Sequence, residues 1–344
     1  MLKVLRRLRE MGVVGMNARN GDYIARYNSR RCYPLVDDKL RTKKLATDAG
    51  IAVPELYGVI EIEHQIGRLA KLLEPHQEFV IKPAHGSGGN GIVVITGRTN
   101  GRYRRANGAL VQLDDLAHHI SNILSGMHSL GGQPDQAIIE QRVVFDPLFE
   151  PLTYRGVPDI RTVVFQGVPV MAMVRLPTLQ SDGKANLHQG AVGVGVDIAS
   201  GQTIRGVWME EVVAEHPDTG HPVAGLEIPH WDELLTLAAR CYDLAGLGYL
   251  GVDIVLDRHH GPLILELNAR PGLSIQLANG FGLRPRLERV ESLAVIPECA
   301  ERRAQLACEL FADPRRQRGG GDTQEQRSAA TEGIAVGPRV HATA

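Results

Sequence analysis

Two apolar stretches late in the chain, 251–257 and 262–268, constrain the fold more than any other feature, because their alternation fits one arrangement. Arg258, His259, His260 and Gly261 separate them, which reads as a hairpin. If Asp257 pairs with Pro262, the ladder sets Val252 against Leu267, Ile254 against Leu265 and Leu256 against Leu263, an apolar face throughout. Side chains alternate along strands, so the other face sets Asp253 opposite Glu266, with Asn268 two residues further along. Carboxylates forced side by side repel, and a cation between them is the simplest reason to build such a pair. Oxygen-only ligands favour magnesium or manganese, whereas zinc prefers histidine or cysteine. The competing reading makes Asp253 and Glu266 ordinary solvent-face charges, and His259 and His260 read as exposed turn residues. Arg270 follows at once, a guanidinium able to grip phosphate oxygens bidentately or, failing that, to form a surface salt bridge.

A second feature lies far upstream. Residues 79–83 form an apolar strand that contains Lys82, a loop with Gly86, Ser87, Gly88, Gly89 and Gly91 follows, and 92–96 reads as another strand. Strand, glycine loop, strand excludes the phosphate loops and dinucleotide fingerprints that open a helix. A mobile loop with bare amides can instead close over phosphates while Lys82 neutralises their charge.

Around these motifs, Asp37 and Asp38 read as the N-cap of a helix over 39–49 that stops at Gly50, and Ile62, Ile66, Leu69 and Leu73 predict a second helix. Helices are also expected over 114–125, 231–244 and 297–311, and strands over 138–143, 160–166, 168–175 and 192–196. The pattern is α+β, with antiparallel sheet in the second half. The 38 basic and 39 acidic residues nearly cancel, which argues against a nucleic-acid partner. Four cysteines without C-x-x-C spacing argue against zinc and disulfides and fit a cytoplasmic setting. The opening residues form a short basic amphipathic helix that could touch an anionic membrane surface, although packing on a neighbouring lobe is favoured. Residues 313–344 are polar and glycine-rich and predict a disordered tail.

Taken in order, Val36-Asp37-Asp38-Lys39, Phe79-Val80-Ile81-Lys82-Pro83, the loop to Gly91, Glu140-Gln141, Asp159-Ile160-Arg161, Asn186-Leu187-His188, Gly251-Val252-Asp253 and Glu266-Leu267-Asn268-Ala269-Arg270-Pro271-Gly272 resemble the α-L-glutamate ligase (RimK-like) group of the ATP-grasp superfamily. The resemblance implies an ATP-grasp fold with ATP between a smaller α/β lobe, 37–135, and a larger antiparallel lobe, 136–312, after a short N-terminal segment, 1–36. It implies that Lys39 and Lys82 contact the α- and β-phosphates, that the glycine loop is a lid, and that Glu140, Gln141 and Val143 border the adenine. Asp159 would hold the ribose, Arg161 and Arg175 would face the transferred phosphoryl group, and Asn186 would lie near the phosphates. Asp253, Glu266 and Asn268 correspond to ligands of Mg2+ or Mn2+.

The activity so implied joins a carboxylate to an amine through an acyl phosphate, with glutamate or another amino acid as a candidate substrate and small molecules or peptides as acceptors. A kinase for small hydroxyl compounds and a non-catalytic nucleotide-binding partner protein are the rivals, and a homo-oligomer is compatible with either. Only about thirty-five residues precede Val36, too few for the pre-domain of the relatives. The stretch 146–155 looks inserted and reads as either a substrate loop or a long surface connection, and 273–279 departs from the group and is a candidate to line a different acceptor pocket.

Overall fold

The computed structural model describes residues 2–86, 88–129 and 132–312. The expected tail, 313–344, lies outside the described residues, as does Ser87. The described residues up to Phe311 form one unit that contains both sheets.

The first sheet has six strands: β1 (Leu56–Ile60), β2 (Phe79–Pro83), β3 (Val93–Thr99), β4 (Arg102–Arg105), β5 (Leu110–Val111) and β6 (Ala137–Glu140), in the order β1-β6-β2-β3-β4-β5. Its core gathers Phe79, Ile81 and Ile95 with Leu116, Ile120 and Ile123 of helix Leu113–Leu124. The periodicity at 62–73 puts Leu69 and Leu73 in this core, but Glu63–Arg68 winds as a 3-10 turn and leaves Ile62 exposed. Strand β6 belongs to this sheet, so the chain leaves it after Glu140, beyond the boundary expected at 135.

The second sheet has seven strands: β7 (Asp159–Phe165), β8 (Val168–Leu176), β9 (Val192–Val196), β10 (Thr203–Trp208), β11 (Glu211–Val213), β12 (Tyr249–Asp257) and β13 (Gly261–Asn268), in the order β11-β10-β9-β8-β7-β12-β13. Every pairing in it is antiparallel. Helix Trp231–Ala245 ends at Gly246 in the left-handed region, as expected, and buries Leu234, Leu235, Ala238 and Cys241 in the larger core. Helix Lys39–Asp48 contributes Ala46 to this larger core rather than to the first sheet. Val14, Tyr23, Ile24 and Val36 of the N-terminal segment join it too.

Packing is already present at the end of the first helix, where Gly12 is buried and the carbonyls of Met11 and Gly12 accept the N–H groups of Gly282 and Arg284 at 2.9 and 3.0 Å. Before it, the described side chains of the basic helix Leu2–Glu10, Lys3 and residues 6–10, are exposed. The inserted stretch folds as a 3-10 helix, Pro147–Leu152, that buries Phe149 and Leu152. Helix Ile275–Asn279 serves the backbone: Gln276 Oε1 accepts from the N–H of Val14 at 2.8 Å, and Asn279 Nδ2 donates to the carbonyl of Ala172 at 2.9 Å. The four cysteines are free. Among the described residues no helix is long and apolar enough to cross a membrane.

Candidate active site

The hairpin forms with the expected pairs at its functional end, Asp253 opposite Glu266 and Val252 opposite Leu267. Beyond them the register shifts: Ile254 meets Ile264 and Asp257 meets Gly261, not Pro262. Leu265 is the extra residue of a bulge, which lets it join Val143, Val157, Val255 and Leu263 in a small apolar cluster. Asp253, Val255 and Asp257 alternate on one face, so that cluster continues the face that bears the carboxylate.

Strand β7 separates β12 from β8, and this order brings together residues far apart in the chain. Arg161 stands opposite Asp253, and Asp159 opposite Arg175. Arg161 donates from Nε and Nη2 to the two oxygens of Asp253 at 2.7 and 2.6 Å. Arg175 grips Asp159 bidentately and also donates from Nη2 to Asp253 Oδ2 at 2.8 Å. Asn268 Nδ2 adds a contact to the same oxygen at 3.3 Å. Burial would raise the Asp253 carboxyl, but Arg161 and Arg175 outweigh it and hold it well below the usual carboxylate range. Asp159 shares only one arginine, and its burial, reinforced by the charge of Asp253, raises its carboxyl against the pull of Arg175. Each Asp159 oxygen accepts one bond from Arg175, so the side chain expected on a ribose also orients a guanidinium. The repulsion argued from the hairpin is relieved here by arginines, and charge balance alone does not require a metal between Asp253 and Glu266.

On the other sheet, Glu140 forms ion pairs with both Lys82 and Lys43, the latter at 2.9 Å. All three side chains are buried. Burial would raise the Glu140 carboxyl, but the two lysines outweigh it and lower it. Glu140 therefore aims Lys82 rather than meeting a base with its side chain. Lys43 was not singled out from the sequence; the available signal was its position one turn after Lys39 on the same helix face. Burial lowers the Lys43 ammonium despite Glu140. Lys39 links the two sheets: its backbone N–H donates to Ala84 O at 3.2 Å, its ammonium donates to Gly86 O, and Nζ lies 3.5 Å from Glu266 Oε1.

The glycine loop reaches the second sheet. Gln189 Nε2 donates to Gly88 O at 3.2 Å, and a Cβ on Gly88 or Gly89 would meet Asn186 or Lys184 respectively. Gly91 has φ +76, and a Cβ there would run into the His128 ring, so glycine is required. Asn186 itself caps the turn Leu187–Gln189. Gln141 Oε1 accepts from the N–H of Glu55, while Val143 belongs to the apolar cluster that could cover an aromatic base. Arg270 is exposed and stacks 5.1 Å over the Tyr33 ring; no salt bridge holds it among the described residues.

A divalent ion fits this donor set only with help. Among the described residues no three His, Cys, Asp or Glu side chains converge on a common metal position. Asp253 Oδ2 already accepts three contacts, whereas Oδ1 accepts one and Glu266 has Lys39 as its ion-pair partner. Two carboxylates and an amide suit magnesium, which is commonly completed by substrate phosphates and water.

The family model of sugar-transfer associated ATP-grasp proteins matches residues 18–292. A probable alpha-L-glutamate ligase of Maridesulfovibrio salexigens is 30% identical over 115 residues, 33% of this chain and 27% of that protein. Among solved structures, the ATP-grasp ligase PsnB complexed with a precursor peptide and AMPPNP overlaps 77% of this chain and 60% of its own at 17% identity, with a TM-score of 0.41. A RiPP-associated ATP-grasp ligase of Chryseobacterium gregarium, in complex with ADP and a leader and core peptide, overlaps 83% of this chain and 63% of its own at 14% identity and a TM-score of 0.42. The chain thus spans about a quarter of the curated relative and about three fifths of these ligases.

Proposed function

The chain belongs to the sugar-transfer associated ATP-grasp family, and from that membership we propose that it is an ATP-dependent ligase that activates a carboxylate as an acyl phosphate and joins it to an amine. The observation that carries this reading is three groups of ion pairs, Lys43–Glu140–Lys82, Lys39–Glu266 and Arg161–Asp253–Arg175–Asp159, the last two set side by side by the pairing of Asp253 with Glu266. Buried charges cost several kcal/mol each to desolvate, so burying Lys43, Lys82, Glu140, Asp159, Arg175 and Asp253 supports chemistry that develops negative charge.

In this reading the adenine lies on the cluster of Val143, Val255, Leu263 and Leu265, and Lys39 and Lys82 meet the inner phosphates beneath the glycine loop. A donor carboxylate oxygen attacks the γ-phosphorus, the bond to the β-phosphate oxygen breaks, and ADP leaves. An amine nitrogen then attacks the acyl carbon, the carbon–oxygen bond to phosphate breaks, and the surplus proton passes to the released phosphate. Arg161 and Arg175 are fixed by their carboxylates, so they meet the transferred group without reorganising. In this reading Arg270, which has no carboxylate partner among the described residues, holds the acyl phosphate oxygens. Asp253, Glu266 and Asn268 would hold a magnesium ion, which supplies neutralisation of the β- and γ-phosphate oxygens.

The test is incubation with ATP, magnesium and paired panels of carboxylates and amines. Glutamate heads the panel because of the probable glutamate ligase among the relatives. Amino sugars join the amines because the family is described as sugar-transfer associated. Inorganic phosphate released one for one with an amide product supports ligation. A phosphorylated hydroxyl compound without amide would make the protein a kinase, and nucleotide binding with no turnover of any pair would make it a binding module.

A further inference from the structure

We propose that His85 is a further contact to the nucleotide, donating from Nε2 to a phosphate oxygen beyond the α-phosphate, with Asp135 as its positioning residue; this rests on the reading that a nucleotide lies at Lys39 and Lys82.

The Asp135 side chain is fully buried. Its oxygens accept the His85 backbone N–H at 3.0 and 3.1 Å, and Oδ1 accepts the Gln136 N–H at 2.7 Å. His85 Nδ1 lies 2.8 Å from the same Oδ1. A carboxylate already gathering backbone N–H groups offers lone pairs, so Nδ1 is the donor, and the ring is locked in orientation. Nε2 is then the free end. It lies 3.9 Å from Asp38 Oδ2, too far for a hydrogen bond, and the ring is nearly half exposed.

Its neighbours say what it faces. The carbonyls on either side of His85, those of Ala84 and Gly86, are the two that Lys39 grips with its backbone N–H and its ammonium. The same ammonium reaches Glu266 on the second sheet. Asp38, the acid nearest Nε2, has its Oδ1 committed to the N–H groups of Leu40 and Arg41 at the start of the Lys39 helix. The imidazole therefore stands at the root of the glycine loop, beside the lysine that joins the two sheets. Facing a phosphate oxygen, Nε2 is the end that donates, while Nδ1 stays on Asp135.

His85→Asn keeps a donor near the Nδ1 position and so keeps Asp135 satisfied, but deletes Nε2. His85→Gln places an amide donor near the Nε2 position. Direct binding of AMPPNP and of AMP to the full chain, each with magnesium, separates the roles, with melting curves confirming that each variant is folded. A charge-assisted hydrogen bond is worth enough that His85→Asn should bind AMPPNP at least about tenfold more weakly and AMP unchanged. His85→Gln should recover most of the loss, and Asp135→Asn should fall between wild type and His85→Asn for AMPPNP alone. Unchanged AMPPNP binding in His85→Asn, or an equal loss for AMP, would overturn the assignment, since a mere anchor of the loop would not tell the two nucleotides apart. Failure of wild type to bind either nucleotide would instead remove the premise of the ligase reading.

Discussion

At Asp253 a single carboxylate, 3% exposed, answers two guanidinium groups. Removing its charge by Asp253→Asn leaves Arg161 and Arg175 with less than they need in a buried setting, and breaking such a pair costs about 3–5 kcal/mol. Glu266 is the contrast: its ion pair with Lys39 spans 3.5 Å and the carboxylate is about one third exposed, so Glu266→Gln should cost under about 1 kcal/mol of stability. Both substitutions should abolish turnover. Urea denaturation beside a phosphate-release assay checks this, and equal stability losses would contradict the structure. The sequence placed Asp253 and Glu266 opposite each other because hairpin register is local. It could not place Arg161 and Arg175 against Asp253, because those contacts depend on β7 inserting between β12 and β8. Lys43 escaped for a related reason: a lysine on a charged helix reads as solvent-facing until Glu140 closes over it.

Elements show the same division between local and distant causes. Capping by Asp38 and termination at Gly246 were legible because each depends on a few adjacent residues. The role of 273–279 was not, because Gln276 and Asn279 face inward only once the N-terminal segment and β8 lie beside them. Its tight seat gives a prediction: a Cβ on Gly195 of β9 would stand 2.6 Å from Ala278 O and 2.8 Å from Asn279 Cα. Backbone on that side cannot yield as a side chain can, so Gly195→Ala should destabilise by about 1–3 kcal/mol, read by thermal melting. The turn after β11 carries a pH dependence. His216 is buried, its Nε2 lies 3.0 Å from Pro177 O, and its Nδ1 accepts the Asp218 N–H at 3.3 Å, so the fold requires the neutral ring. Burial lowers its pKa from the ordinary 6.5, against the opposing effects of the Pro177 carbonyl and Asp218. The unfolded chain therefore takes up this proton first. Stability should fall as pH drops below 6.5 and level off once the folded ring also titrates. His216→Gln, which keeps a donor for Pro177, should lose that part of the pH dependence in melts between neutral and mildly acidic buffer.

For the molecule as a whole, the antiparallel sheet of the second half was readable from strands punctuated by turns, whereas the two-lobe plan came from the resemblance and the assignment of segments to sheets was not legible. Glu140 ends a strand of the first sheet, and helix Lys39–Asp48 packs in the core of the second, so the chain crosses between them more than once around the candidate site. Within the site, five cations, Lys39, Lys43, Lys82, Arg161 and Arg175, meet four carboxylates, Glu140, Asp159, Asp253 and Glu266, in three groups of ion pairs. A triphosphate brings more negative charge than one surplus cation neutralises, so nucleotide alone should bind weakly and magnesium should strengthen it. A ligand that binds only the folded state stabilises by RT ln(1 + [L]/Kd), about 2.7 kcal/mol at one hundred times Kd. AMPPNP with magnesium should therefore raise the melting temperature of wild type, and EDTA should remove most of that rise. In Glu266→Gln the nucleotide should still bind through Lys82, but the EDTA-sensitive part should be small. If EDTA leaves the wild-type shift intact, the oxygen ligands of β12 and β13 do not hold an ion that matters for binding, and the arginines then carry the phosphate charge by themselves.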